Sequence, residues 1–189
     1  EIDVEHSIYE VPLMLQREKM DALVCQELGL ETSPADMSEW EAVIQRIIKP
    51  QHQVRIGVIG KYIHLQDAYK SVYEAVTHAG GANDCAIEIV RVDSEDIERD
   101  GAAAYLAEMD AILVPGGFGE RGVEGKVLAA QYARENNVPY LGLCLGMQIA
   151  CIEFARHALG LDGAHSAEFD AQTPHPIIAL LDEQQNVTD

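Results

Sequence analysis

The stretch Pro139-Tyr-Leu-Gly-Leu-Cys-Leu-Gly-Met-Gln148 predicts a strand that turns sharply into a helix. Its first residues form a short apolar run, and a helical pattern continues from Leu145. Gly142 and Gly146 flank Cys144, so the chain can bend tightly there and expose the cysteine side chain at the end of the strand. This pattern is typical of a nucleophile elbow, with cysteine in the place that serine takes in esterases.

Strands alternate with helices on both sides of this elbow, starting after Pro50. The predicted strands are residues 54–59, 86–92, 111–114, 139–143 and 177–181, and the predicted helices are residues 68–79, 101–108, 122–136 and 145–159. The helix 68–79 is expected to close at Gly80-Gly81. This alternation predicts an α/β fold, a doubly wound and mostly parallel sheet with helices on both faces. Because ligands of such sheets bind beyond the carboxyl ends of the strands, the loops after Ile59, Val114 and Leu143 are the candidate site.

The first 50 residues predict helices without a sheet of their own. Residues 14–28 have helical spacing and end before Gly29, a common helix stop. Ser38 and Glu41 have the spacing of a capping box, which opens a second amphipathic helix. This part of the sequence is therefore expected to be a helical linker that precedes the α/β domain.

Charge and composition exclude several classes of function. The chain of 189 residues has 13 basic and 32 acidic residues and a formal net charge of −19, which disfavours nucleic acid and anionic membranes as partners. No apolar run approaches the roughly 18 residues that a membrane-spanning helix needs. The four cysteines are far apart and form no CxxC pair, so the sequence predicts neither disulfides nor a zinc site, and a cytoplasmic location fits best.

A glycine-rich loop follows the predicted strand 111–114. Residues 117–122 read literally as G-x-G-x-x-G, so a nucleotide-binding module is the alternative interpretation of the chain. That fingerprint normally follows the first strand, and Glu120 and Glu124 would face a pyrophosphate. We therefore favour a second use, in which bare backbone N–H groups of the loop complete an oxyanion hole beside the elbow.

An exposed cysteine at a helix N-terminus suits acyl transfer through a thioester, because the helix dipole stabilises the thiolate. Such chemistry needs a base, normally a histidine oriented by a carboxylate. None of the seven histidines has a convincing partner: His165 and Glu168 form a His-x-x-Glu that is expected in a loop, and His175 precedes the last predicted strand. An inert, structural Cys144 in a non-catalytic interaction domain remains an open alternative.

Two motifs together resemble the triad-type, class I glutamine amidotransferases: Pro115-Gly-Gly-Phe-Gly119 and Gly142-Leu-Cys-Leu-Gly-Met-Gln148. Further segments make the chain similar to the C-terminal amidotransferase domain of the CTP synthase family. They are Ile8-Tyr-Glu-Val-Pro-Leu13, Gly60-Lys-Tyr62, Asp67-Ala-Tyr-Lys-Ser71, Arg121-Gly-Val-Glu-Gly-Lys126 and residues 164–169. On this resemblance, residues 1–31 would end the synthetase domain, residues 32–52 would be the linker helix, and residues 53–189 would be the amidotransferase domain.

The resemblance also implies a role for individual residues. Cys144 would be the nucleophile, with the backbone N–H groups of Gly117 and Leu145 as oxyanion donors. The residues implied to line the glutamine pocket are Phe118, Gln148 and Glu168. The carboxylate of Glu168 would select the α-ammonium of the free amino acid. The residues implied to form a lid that responds to GTP are Arg121, Gly122 and Glu124. No metal ligand is implied in this chain.

The parent enzyme implied by the resemblance makes CTP from UTP, ATP and the ammonia released from glutamine. It would use Mg²⁺ and assemble as a homotetramer in the cytoplasm. The family's catalytic His-Pro-x-Glu pair would lie downstream of Asp189, since His175-Pro176-Ile177-Ile178 lacks the Glu. We therefore expect the chain to be part of a longer protein, truncated before its catalytic His/Glu pair, and inactive alone in both CTP formation and glutamine turnover.

Overall fold

The computed structural model describes residues 4–65 and 67–181. The chain divides into two compact units. One contains the described residues up to Gln53 together with Ala75–Ile87, and the other contains Val54–Glu74 together with the described residues from Glu88 onward. All the predicted site residues belong to the second unit.

Three helices precede the sheet. A 3-10 helix at Ile8–Glu10 leads into α1 (Val11–Arg17), followed by α2 (Met20–Glu27) and α3 (Ser38–Ile48). The single helix predicted over residues 14–28 is wrong, because Lys19 takes a left-handed conformation with φ of 59° and separates α1 from α2.

The capping box predicted at Ser38 and Glu41 is also wrong. Ser38 is already helical, and its N–H donates to Oδ1 of Asp36 at 3.0 Å. The structure instead has a capping box at Ser7 and Glu10. The Ser7 hydroxyl accepts from the Tyr9 N–H, and the Glu10 carboxylate accepts from the Ser7 N–H. The motif therefore opens the 3-10 helix at Ile8–Glu10 and not α3.

The central sheet confirms the predicted α/β class. Its strands are β1 (His52–Gly60), β2 (Cys85–Asp93), β3 (Ala111–Val114) and β4 (Tyr140–Gly142), in the spatial order β2-β1-β3-β4. The pairs β1–β3 and β3–β4 are parallel, with Ile56 opposite Ala111 and Leu113 opposite Leu141. The chain continues from β1 to β2 on one side and from β3 to β4 on the other. The carboxyl ends of β1 and β3 thus meet at a topological switch point, where such sheets bind ligands.

The helices between the strands differ from prediction in two places. Helix α4 (Lys70–Ala82) does not stop at Gly80-Gly81. These glycines serve packing, since a Cβ at Gly81 would lie 2.8 Å from Cγ1 of Ile47. Instead of one helix over residues 101–108, the chain forms α5 (Ser94–Asp100), capped by the Asp93 carboxylate, and the short α6 (Ala103–Leu106).

The remaining elements carry or surround the candidate site. Helix α7 (Val123–Glu135) follows the glycine-rich loop, and α8 (Leu145–Glu153) follows the elbow and continues as a π-helix (Phe154–Ala158). A separate two-stranded parallel sheet joins β5 (His165–Ser166) to β6 (Pro176–Ile178). The loop predicted around His165 therefore begins as a strand, and the last predicted strand ends at Ile178.

Two apolar clusters hold these elements together within the second unit. The first packs β1, β2 and β3 against α5, α6 and α7, with Ile59, Ile112 and Val114 almost fully buried. The second lies between α7 and α8 and includes Val127, Leu145 and Ile149. The predicted burial of strand 111–114 is confirmed, and both helices that leave the candidate site are anchored in the core.

Candidate active site

The elbow at Cys144 forms as the sequence predicts. Cys144 has φ of 52° and ψ of −107°, directly precedes α8, and has an exposed side chain. The turn is held on both sides: the Leu143 N–H donates to the Val114 carbonyl at 2.9 Å, and the Gly146 N–H donates to the Leu143 carbonyl at 2.9 Å. A cysteine held at positive φ is strained, which is typical of a residue positioned for function.

The two flanking glycines are required by close backbone contacts. A Cβ at Gly142 would lie 2.4 Å from the carbonyl group of Gly146. A Cβ at Gly146 would lie 2.0 Å from the Val114 carbonyl oxygen, which belongs to the neighbouring strand β3. No side chain fits at either position, so the bend depends on both glycines.

The glycine-rich loop lies against the elbow, as the oxyanion-hole interpretation requires. A Cβ at Gly116 would lie 3.3 Å from the Cys144 Cβ, and one at Gly117 would lie 3.8 Å from Cδ2 of Leu145. Within the described residues, the Leu145 N–H at the first position of α8 donates to no other group. The loop after β3 and the first turn of α8 therefore come together beside the thiol, where backbone amides can stabilise a developing negative charge.

Lys61 supports the glycine-rich loop from the end of β1. Its side chain is buried, with 6% of its surface exposed, and its ammonium donates to the carbonyls of Phe118 and Gly119. The Arg121 guanidinium in turn donates to the Lys61 carbonyl at 3.1 Å. The predicted site residues do not include Lys61, although its place directly after β1 at the switch point is a signal that could identify it.

Lys126 lies almost fully buried on α7 behind the same loop. Burial lowers its pKa from 10.5 to about 8, and repulsion from Lys61 and Arg121 acts in the same direction, while Asp93 and Glu98 oppose it. Three cationic side chains, those of Lys61, Arg121 and Lys126, are thus close enough to repel one another near the glycine-rich loop.

A cavity of about 620 Å³ lies beside α8 and the small sheet. It brings together two of the predicted glutamine-binding residues, Gln148 and Glu168, with Ser166 and the backbone around Ile178. The Glu168 N–H donates to the buried Ser166 hydroxyl at 3.2 Å, which fixes the segment that carries the carboxylate. The third predicted residue, Phe118, is on the glycine-rich loop with an 82% exposed ring.

The residues predicted to form a lid lie around the start of α7, and the two charged ones make ion pairs. Arg121 pairs with Glu95 at 2.5 Å, Gly122 takes φ of 73° before the first helical residue, and Glu124 pairs with Arg156 at 2.8 Å. Arg121 and Gly122 thus end the glycine-rich loop, and Glu124 follows it in the first turn of α7. Their response to GTP stays a prediction.

Among the described residues, the hydrogen bonds of the histidine rings do not involve Cys144. His78 bonds to the Tyr9 hydroxyl, His157 Nδ1 to Glu153 at 3.2 Å, and His165 Nδ1 accepts from the Ser166 N–H at 2.9 Å. The described part of the chain also contains no cluster of three or more His, Cys, Asp or Glu side chains suited to a metal ion. No helix within the described ranges is long and apolar enough to cross a membrane.

The α/β fold with its cysteine elbow and glycine-rich loop matches one family of known proteins. The model of the family "Glutamine amidotransferase class-I" matches residues 64–186, and the chain belongs to that family. Within it, the chain is similar to CTP synthases, as the motifs predicted, and this favours the amidotransferase interpretation over a nucleotide-binding module.

The similarity extends over nearly the whole chain. It is 55% identical to the CTP synthase of Geobacillus kaustophilus over 183 residues, which are 97% of this chain and 34% of the relative. It is 52% identical over 188 residues to that of Streptococcus thermophilus, covering 100% of this chain and 35% of the relative. The chain thus spans about a third of the length of these curated relatives.

A solved structure has the same fold. The Trypanosoma brucei CTPS glutaminase domain with bound acivicin matches with a TM-score of 0.66 and 43% identity. The match covers 70% of this chain and 52% of the other.

Proposed function

We propose that Cys144 is the nucleophile of glutamine hydrolysis and that the ammonia released serves the amination of UTP to CTP. The observation that carries the proposal is the position of Cys144: an exposed thiol at a strained elbow, beside the Leu145 N–H and the bare backbone of Gly116 and Gly117. The sequence similarity to CTP synthases supports the second half of the proposal.

The chemistry proceeds through a thioester. The Cys144 thiolate attacks the side-chain amide carbon of glutamine, and the carbonyl oxygen becomes an oxyanion that the N–H groups of Leu145 and Gly117 stabilise. Collapse breaks the carbon–nitrogen bond, and the nitrogen leaves as ammonia after taking up the proton that the thiol had given to a general base, which would be the histidine of the family's His-Pro-x-Glu pair. Water then hydrolyses the thioester, which yields glutamate and restores the thiol.

The cavity lined by Gln148 and Glu168 is the proposed site for the amino-acid end of glutamine. The Glu168 carboxylate would pair with the α-ammonium, and the Gln148 amide would hydrogen-bond to the polar groups of the substrate. Phe118, at the edge of the glycine-rich loop, would cover the substrate from the side of the loop.

The formation of CTP would also need substrates and a metal ion for which no binding residues are assigned in this chain. ATP, Mg²⁺ and UTP would act in a synthetase domain, GTP would act through the region of Arg121, Gly122 and Glu124, and the whole enzyme would be a cytoplasmic homotetramer. Support for these partners comes from the resemblance to CTP synthases alone.

The proposal is tested in the full-length protein encoded by the gene, supplied either with glutamine or with ammonium chloride as the nitrogen source. A Cys144→Ala variant should lose CTP formation from glutamine and keep it from ammonia, because only the first needs the thioester. A Cys151→Ala variant, which changes the other exposed cysteine of α8, should keep both. Retention of glutamine-dependent CTP formation by Cys144→Ala would refute the proposed nucleophile, and no CTP from either nitrogen source in the wild type would refute the proposed product.

A further inference from the structure

We propose that Arg156 is a positioning residue that fixes the glutamine pocket relative to the Cys144 thiol. The inference rests on the proposed function, since it concerns the same site. Arg156 does not belong to the motifs that identify the family. The residue lies in the π-helix that continues α8. What distinguishes it is the set of groups to which it donates.

One guanidinium joins three segments of the second unit. Its Nε–H donates to the Ala164 carbonyl at 2.6 Å, and its Nη1 donates to both carboxylate oxygens of Glu124 at 3.0 and 2.8 Å. The Arg156 side chain is 16% exposed, so these bonds are partly shielded from water. Charge-assisted bonds from a planar guanidinium fix orientation as well as distance.

Each of the three segments carries a different part of the site. The π-helix continues the helix that starts at Cys144, and Glu124 is in the first turn of α7, directly after the glycine-rich loop. Ala164 is fully buried and immediately precedes β5, which leads to Glu168 at the cavity. Arg156 therefore connects the nucleophile helix, the loop that would supply oxyanion donors and the segment that would bind the α-ammonium.

A second contact joins two of these segments independently. The ring of His165, the first residue of β5, lies with its Nε2 3.8 Å from the Glu124 carboxylate, and its Nδ1 accepts from the Ser166 N–H. Glu124 thus faces Arg156 and His165 together. Among the polar contacts of the described residues, loss of Arg156 would leave this longer one between β5 and α7. A displacement of 1 Å at a reacting centre can cost about 100-fold in rate.

The test compares two electrophiles that modify Cys144 in the full-length protein encoded by the gene. Acivicin, the inhibitor bound to the Trypanosoma brucei relative, has an amino-acid end that requires the pocket, whereas iodoacetamide requires only an accessible thiol. For Arg156→Met we expect the acivicin concentration that gives half-maximal labelling rate to rise roughly tenfold, with the iodoacetamide rate unchanged. Arg156→Lys should recover part of the loss, because it keeps a cation opposite Glu124.

Two further variants keep the test decisive. Glu124→Gln changes an exposed side chain, so it should fold even if Arg156→Met does not, and it should raise the acivicin concentration in the same direction by a smaller factor. Arg99→Met removes an exposed arginine that pairs with Asp96 and Asp100 elsewhere, and it should behave as the wild type.

The outcomes separate the two proposals. If acivicin fails to label wild-type Cys144, or if glutamine does not protect it, the proposed function fails, and the inference that rests on it fails too. If the wild type is labelled with glutamine protection while Arg156→Met and Glu124→Gln match Arg99→Met, the function stands and the role of Arg156 is refuted. An equal fall in the acivicin and iodoacetamide rates would also refute positioning, because the thiol itself would then be affected.

Discussion

Replacing Lys126 by methionine should stabilise the protein at neutral pH. The buried ammonium of Lys126 has a pKa of about 8 instead of 10.5, mainly because burial disfavours its charged form. This difference corresponds to about 3 kcal/mol, which the folded state loses whenever Lys126 is protonated. Methionine has a similar shape without the charge, so Lys126→Met should increase the free energy of unfolding by up to about 3 kcal/mol at pH 7.

The pH dependence gives the sign of the effect. Because the pKa is lower in the folded than in the unfolded state, the unfolded chain binds more protons between pH 8 and 10.5, and the wild type gains stability as the pH rises through this window. The advantage of Lys126→Met should therefore be largest below pH 8 and shrink towards pH 10.5.

Urea unfolding of both proteins across this pH range, followed by circular dichroism, measures the difference. Taking the difference between wild type and variant removes the contributions of other groups that titrate in alkali. Lys49→Met changes an exposed lysine and should show no such trend. A Lys126→Met protein that is less stable than the wild type at pH 7, or a stability difference that does not change with pH, would show that the buried charge is not a cost to folding.

Two other substitutions test the elbow and the core. Gly146→Ala should destabilise the fold by more than about 4 kcal/mol in urea unfolding, since its Cβ would lie 2.0 Å from the Val114 carbonyl oxygen. Gly160→Ala, with open space around it and φ of +68°, should cost only about 1–2 kcal/mol, so similar losses for the two would contradict the packing argument. Arg134→Met should lower the midpoint of thermal or urea unfolding, because it removes the guanidinium that pairs with the buried Glu153 at 2.9 Å and leaves that carboxylate with the His157 contact at 3.2 Å. Arg99→Met, at an exposed ion pair, should shift the midpoint much less, and an equally small shift for Arg134→Met would show that the stability of the fold does not depend on the Arg134–Glu153 pair.

The sequence predicted the parts of the site that depend on local backbone geometry. The glycines around Cys144 identified the elbow because a sharp strand-to-helix turn has few solutions, and the continuous apolar strand 111–114 identified its buried neighbour. The glycine-rich loop could be placed beside the elbow because parallel strands present their carboxyl ends at one edge of the sheet.

The parts that the sequence did not predict depend on contacts between distant segments. Lys61 donates to the Phe118 carbonyl 57 residues away, and Arg156 donates to the Glu124 carboxylate 32 residues away. The local sequence can place Lys61 at the switch point, but it does not show which group either side chain contacts. Helix α5 was missed because Ser94 and the charged residues after it resemble a solvent-exposed turn, whereas in the fold Ser94 and Ile97 are fully buried. A glycine pair usually ends a helix, so Gly80-Gly81 predicts a helix stop, but in the fold close packing against Ile47 and Ile87 requires the two glycines.

The central claim is that Cys144 reacts with glutamine-like electrophiles because of its place at the elbow. The most direct measurement is acivicin labelling of the full-length protein followed by peptide mass mapping, in which Cys151, an exposed thiol on α8, serves as an internal reference. The proposed site predicts that acivicin modifies Cys144 well before Cys151 and that added glutamine slows the reaction at Cys144 alone. Equal labelling of the two cysteines, or labelling of Cys144 that glutamine does not affect, would contradict the claim.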